Sequence, residues 1–210
     1  MGIKAMGHDK LFQKRNISLT RVRNIRKPRR ILIVCEGAKT EPGYFREFPN
    51  NPDVYDKIDI YGTGYNTVSL VREAIRIKHE AIQKKEPYIE AWCVFDKDDF
   101  PVDSFTNAIA LAEGNQIKCA YSIEAFELWY LLHFNYYDAA LSRGQYQEKL
   151  SDLLKKPYAK NDSKMYKILQ KRQSTALQNA QKLFARQCGL PVREQNPVTT
   201  VFRLVERLMG

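Results

Sequence analysis

Histidine and cysteine are scarce in this 210-residue chain, and no run of about 18 apolar residues occurs in it. The missing apolar run argues against a membrane span. The first residues, with Lys4, His8, Asp9 and Lys10 in a weakly apolar setting, lack the apolar centre of a secretory signal, so a cytoplasmic location is expected. The three histidines (His8, His79, His133) and four cysteines (Cys35, Cys93, Cys119, Cys188) form no CxxC pair and show no zinc-ligand spacing. Three cysteines sit in the apolar runs ILIVC, AWCVF and IKCAY, and read as small buried strand residues of a reducing compartment. The absence of a Walker A loop argues against ATP hydrolysis by this chain alone, and no nucleophile elbow supports Ser-His-Asp chemistry. Internal repeats and low-complexity tracts are also missing.

What is present is a globular composition, 44% apolar and 28% charged, with a net charge of +10. That excess favours a polyanionic partner, nucleic acid first. Its distribution is uneven. Residues 1–30 hold 10 Lys+Arg and one acid, residues 31–141 hold 10 against 18 acids, and residues 142–210 hold 14 against 5. An acidic centre therefore lies between two basic flanks. Three parts are expected: a basic arm over 1–28, an α/β domain over 29–141 and a helical region over 142–210 packing on it.

Short β-prone runs at 31–35, 57–61, 88–95 and 117–121 alternate with helical patterns at 40–48, 67–85, 104–114 and 124–134. Thr40 and Asn66 are the expected caps of the first two helices. Val68, Val71, Ile75 and Ile82 are the expected buried face of the second. The third strand is expected to break at the charged DKDD. Beyond residue 142 only helices are expected, over 145–154, 164–188 and 199–209. This order predicts a mainly parallel sheet of about four strands with helices on both faces, whose ligand sites lie beyond the strands' carboxyl ends.

The first strand runs directly into Cys35-Glu36-Gly37 and the third into Asp96-Lys97-Asp98-Asp99. Both acidic clusters fall on one rim of the sheet. With the two strands adjacent, Glu36, Asp96 and Asp98 converge on one point, where hard oxygen ligands suit Mg²⁺ or Mn²⁺. Gly37 leaves room for a phosphate or a metal-bound water near the backbone. Glu127 stands inside the apolar run FELWYLLHF and must be paired or ligating. Asp99 and Glu124 read as surface acids. His133 reads as a hydrogen-bonded core histidine, and Tyr44 and Phe45 as core. Lys39, Lys97, Lys160 and Lys164 are candidate cations for charge developing on a phosphate. The last two lie in KKPYAKNDSKMYK, where Tyr158 and Tyr166 add aromatic faces suited to a nucleic-acid strand. Arg21, Arg23 and Arg26 of the arm, and Arg29 and Arg30 just after it, are candidate backbone contacts.

A Glu-Gly after one strand and an Asp-x-Asp after a later one resemble the Toprim domain. The longer segments RILIVCEGAKTEPGYF, WCVFDKDDF and SIEAFELWYLLHF resemble the RloB-like family, which is similar to the Toprim part of OLD-type nucleases. Asn196-Pro197 with Thr199-Thr200 also resembles that family's C-terminal segment, while Ser122-Ile123-Glu124-Ala125 departs from its usual Ser-Asn-Pro. The resemblance implies Asp96 and Asp98 as metal ligands, Glu36 in metal or proton chemistry, and Glu41 at a second ion. It further implies a nuclease acting with a neighbouring AAA/ABC-type ATPase in restriction-linked antiviral defence or abortive infection. DNA and RNA both stay open as substrates, and so does a homo-oligomer. A non-catalytic adaptor for the ATPase is the alternative. Strand passage would need a nucleophilic Tyr from an added domain, for which this chain has no obvious place.

Overall fold

The computed structural model describes residues 26–97 and 102–210. Arg21, Arg23, Asp98 and Asp99 lie outside the described residues. The first half alternates β1 (Arg30–Cys35), α1 (Thr40–Arg46), β2 (Lys57–Gly62), α2 (Thr67–Gln83), β3 (Glu90–Lys97), α3 (Val102–Gly114), β4 (Lys118–Ile123) and α4 (Glu127–Leu132). Four helices follow: α5 (Arg143–Leu154), α6 (Met165–Leu169), α7 (Gln173–Gln187) and α8 (Val201–Met209). The strands form one all-parallel sheet in the order β2-β1-β3-β4. Among the described residues, no helix is long and apolar enough to cross a membrane.

The period of two along a strand divides the core between the faces. Ile31, Ile33, Cys35, Trp92 and Val94 point toward α1, α4 and the C-terminal helices. Leu32, Val34, Cys93 and Phe95 point toward α2 and α3. Burial on both faces explains why these strands read as continuous apolar runs. Leu150, Leu169, Leu183 and Leu204 enter the same cluster as the first face, so residues 142–210 complete the sheet's core. Cys35 and Cys93 are buried, Cys119 is half-buried and Cys188 exposed, all as free thiols.

Several local expectations change. β3 is not broken at the start of the DKDD run but carries on through its first two residues, Asp96 and Lys97. Its ladder with β4 continues through Asp96 opposite Ser122 and Lys97 opposite Ile123, because β4 itself extends to Ile123. The buried face of α2 is Leu70, Val71, Ala74, Ile77 and Ala81. Val68 and Ile75 only flank it, and Ile82 is 53% exposed, because all three project to one side of the stripe of Leu70, Ala74, Ile77 and Ala81 that faces the sheet. Asn66 caps α2 as expected, accepting the Ser69 N–H at 3.2 Å. Lys39, not Thr40, occupies the cap position of α1. The helix expected over 164–188 divides at a 3-10 turn over Gln170–Arg172. Past that turn, Gln173 is buried against the Tyr44 hydroxyl and His133.

Two features fix the ends of the sheet. At the start of β1, Arg30 pairs with Asp59 and Glu86 and lies 4.6 Å over the Tyr88 ring. Along the open side of β4, Ile123 N–H donates to Val198 O at 2.9 Å, Thr200 N–H to Tyr121 O at 2.7 Å, and Ser122 and Thr199 hydroxyls meet at 2.9 Å. The Pro197–Thr200 segment thus covers an edge that would otherwise be open to other chains.

Gly62, at the end of β2, sits under the turn after β1. A Cβ there would lie 2.7 Å from Pro42 Cγ and 2.8 Å from Gly37 O. Gly62→Ala is expected to destabilise the fold by about 1–3 kcal/mol, read as a lower denaturant midpoint at unchanged slope; an unchanged midpoint would contradict this packing.

Candidate functional site

Where β1 and β3 end, an open cleft of about 390 Å³ forms. Its floor comes from the sheet. Glu36 N–H donates to Val94 O at 2.8 Å, carrying the ladder one step past β1. The Glu36 carboxylate in turn accepts the Asp96 N–H at 3.2 Å. The two strand ends are therefore tied to each other at the residues that carry the acids.

The turn after Glu36 brings in a third carboxylate. The position a Gly37 Cβ would take is filled by the Glu41 carboxylate. The glycine therefore leaves room for Glu41, in place of the phosphate or water expected there. Glu41 is 6% exposed. Burial raises its pKa and nearby Glu127 adds to this, while the N–H groups of Glu41 and Gly37 and the charge of Lys160 oppose it. Asp96, with 17% of its side chain exposed, is pushed well above the ordinary carboxylate range. Burial is the main cause and the charges of Glu41 and Glu127 add to it, against the Phe126 N–H and Arg143. Glu127, 3% exposed, opens α4 and accepts the Tyr158 hydroxyl at 3.2 Å.

Three sequence-distant acids thus crowd one open pocket, where the charge of Glu127 disfavours ionisation of Glu41 and the charges of both disfavour that of Asp96. All their donors are hard oxygens, and the excess of negative charge is what a divalent cation neutralises. The donor chemistry fits Mg²⁺ or Mn²⁺. Among the described residues, no three such side chains stand close enough to enclose an ion as they are.

Of the candidate cations, Lys39 and Lys160 line the cleft. Thr40 fixes the loop carrying Lys160 by donating its hydroxyl to Lys160 O at 2.6 Å. Lys164 is exposed outside the cleft lining, beside Asp162. The Lys97 side chain is not in the lining either, and its carbonyl accepts the Glu124 N–H at 2.9 Å. Tyr158 is half-buried, with its hydroxyl spent on Glu127. Arg29 and Arg30 stand at the opposite end of the sheet, paired with Asp56 and Asp59, and Arg26 is exposed near them. His133 is a core residue, bonded to Trp129 O at 2.9 Å and Gln173 at 3.2 Å, and burial pushes its pKa down to about 4.

Sequence reasoning missed Arg143. It opens α5 behind a Ser142–Gln145 capping box, with Nη2 at 3.8 Å from Asp96 Oδ2 and 3.1 Å from Glu124 O. A signal existed: Ser-x-x-Gln marks a helix start, and a cation in a helix's first turn opposes the dipole, which calls for another reason to be there.

A family model described as RloB-like protein matches residues 31–208. No curated protein and no solved structure matches the chain. The unusual segment before α4 has a conformational signature, since Glu124 has φ 72°, which proline, fixed near −65°, does not adopt.

The crowding of carboxylates has a measurable cost. Asp96→Asn is expected to raise the melting temperature in EDTA by a few degrees at pH 8. In the wild type the folded pKa of Asp96 exceeds the unfolded one, so stability is full below the ordinary carboxylate range and falls as pH rises. The gain should therefore shrink toward pH 4. A variant less stable than wild type at pH 8 would refute the repulsion.

Proposed function

This chain belongs to the RloB-like family, and on that premise we propose that it is a divalent-metal-dependent nuclease of the Toprim type. The observation that carries the reading is the convergence of Glu36, Glu41, Asp96 and Glu127, from three separate segments, on one cleft beyond the carboxyl ends of parallel strands. Asp96 and Glu36 would hold the first Mg²⁺ or Mn²⁺ together with Asp98, and Glu41 and Glu127 the second. Bound there, such ions supply a water of lowered pKa and stabilise the leaving oxygen of a phosphodiester.

The chain's own residues do the rest. The Asp96 N–H orients the Glu36 carboxylate, which is then positioned to accept a proton. Tyr158 holds Glu127 by its hydroxyl. Lys160 and Arg143 face the cleft from outside the sheet, where they offset charge on a bound phosphate. Nucleic acid as substrate follows from the basic flanks. An AAA/ABC-type ATPase partner and a role in antiviral defence rest on the family resemblance, and a cytoplasmic location rests on the sequence features that lack a secretory signal.

A second reading, a non-catalytic nucleic-acid-binding adaptor for the ATPase, draws on one observation: the absence of a ready three-ligand shell among the described residues. Purified protein, alone and with its ATPase, decides between them. With Mg²⁺ or Mn²⁺ it is expected to cleave DNA or RNA. Asp96→Ala should abolish cleavage and Lys160→Ala should slow it roughly 100-fold. Undiminished cleavage by Asp96→Ala would remove the site, and no cleavage under any of these conditions would establish the adaptor.

A further inference from the structure

The cleft is poorly equipped to attract its substrate. Glu36, Glu41, Asp96 and Glu127 outnumber Lys39, Arg143 and Lys160 in its lining. Before cations are bound, such a surface offers a phosphate backbone no net attraction. Affinity for a polyanion must therefore come from another part of the molecule.

The other end of the sheet supplies it. Where the strands begin, a second hollow of about 580 Å³ is bordered by Lys27, Arg29, Arg30, Lys57, Lys84 and Lys85, with Glu86 as its one carboxylate. The cations fall into two groups. Arg29, Arg30 and Lys57 are committed to Asp56, Asp59 and Glu86, and fix the loops that form the hollow. Lys27, Lys84 and Lys85 are exposed, and among the described residues no carboxylate pairs with any of them. The first two are brought beside Lys85 by the chain itself. Lys27 Nζ donates to Lys85 O at 3.3 Å, and Lys85, at φ 60°, makes the turn that ends α2. The chain before residue 26 joins the fold at this same end and carries six Lys+Arg against Asp9.

We infer that Lys27, Lys84 and Lys85 form a second phosphate-backbone site, which docks a nucleic-acid strand at the pole opposite the cleft; this rests on the reading of nucleic acid as substrate. The six residues of β1 separate the two poles by about 20 Å, at roughly 3.3 Å per residue. Lysines at such a surface act as point charges on phosphates and read no sequence. Docking there holds a strand near the cleft whatever its bases, and leaves selection to the cleft.

Binding of a fluorescein-labelled 30-nucleotide single strand and of a 30-base-pair duplex, by anisotropy with full-length protein in EDTA across a salt series, tests this. Lys84→Glu/Lys85→Glu should weaken binding about tenfold and reduce the slope of log K against log salt by about 1.5, since each phosphate contact contributes about 0.7–0.9. Lys84→Ala/Lys85→Ala should give the same slope change without reversing charge, at an unchanged melting temperature. Lys171→Glu/Lys182→Glu, equal in charge but elsewhere, should keep the wild-type slope. Unchanged binding in the first two pairs, an equal loss in the third, or wild-type preference for anionic phospholipid vesicles over both oligonucleotides would each overturn the inference. Because no divalent cation is present, failure to cleave, which would sink the nuclease reading, leaves this result standing.

Discussion

The parallel pairing of β1 with β3 is the constraint from which the rest of the molecule follows. It places Glu36 one step beyond one strand and Asp96 at the end of its neighbour, and the Asp96 N–H then bonds the Glu36 carboxylate directly. Every other element at that rim is positioned relative to this pair. The turn after β1 has to be tight enough for Glu41 to occupy the space of a missing side chain at Gly37. Below it, β2 has to end in a glycine so that the turn can rest on it. α4 and α5 then bring Glu127 and Arg143 over the opening.

The rim is therefore built at a cost to stability. Burial together with neighbouring acids raises the pKa of Glu41 and Asp96, and such crowding is rarely produced by packing alone. Here the opposing stabilisation comes from elsewhere: the doubly buried strands, the aromatic cluster of Tyr44, Phe45, Phe126 and Tyr130, and the C-terminal helices that complete it. Residues 142–210 serve both needs. Their apolar faces close the core, and their loops and helix starts supply Lys160 and Arg143 to the cleft and the Tyr158 hydroxyl to Glu127.

Much of this was legible in the residues. Continuous apolar runs such as ILIVC announced strands buried on both faces, and an acid straight after such a run announced a rim position. Glu127 within FELWYLLHF was marked by its polarity in an apolar helix, and it is indeed buried and bonded. What escaped depends on tertiary neighbours. β3 runs through Asp96 because β4 is there to pair with it. Which face of α2 is buried was decided by the sheet beneath it, so Ile82 ended in solvent. Lys160 and Lys164 look equivalent in sequence, yet only Lys160 is on the loop that Thr40 holds. Arg143 could have been found from its odd place in a helix's first turn, had electrostatics been weighed along with the capping pattern.

The antiparallel strip at Pro197–Thr200 bears on how the chain comes to be made. It covers the outer side of β4, and the helix just after it contributes Val201, Leu204, Val205 and Leu208 to the main core. A chain emerging from the ribosome therefore has all four strands available well before their last partners exist. Until residues 197–200 have been synthesised β4 keeps a bare flank, and until residues 201–208 follow the core lacks one wall, states prone to pairing with other chains. The outer edge of the sheet and one wall of its core are thus closed only by residues made after all four strands.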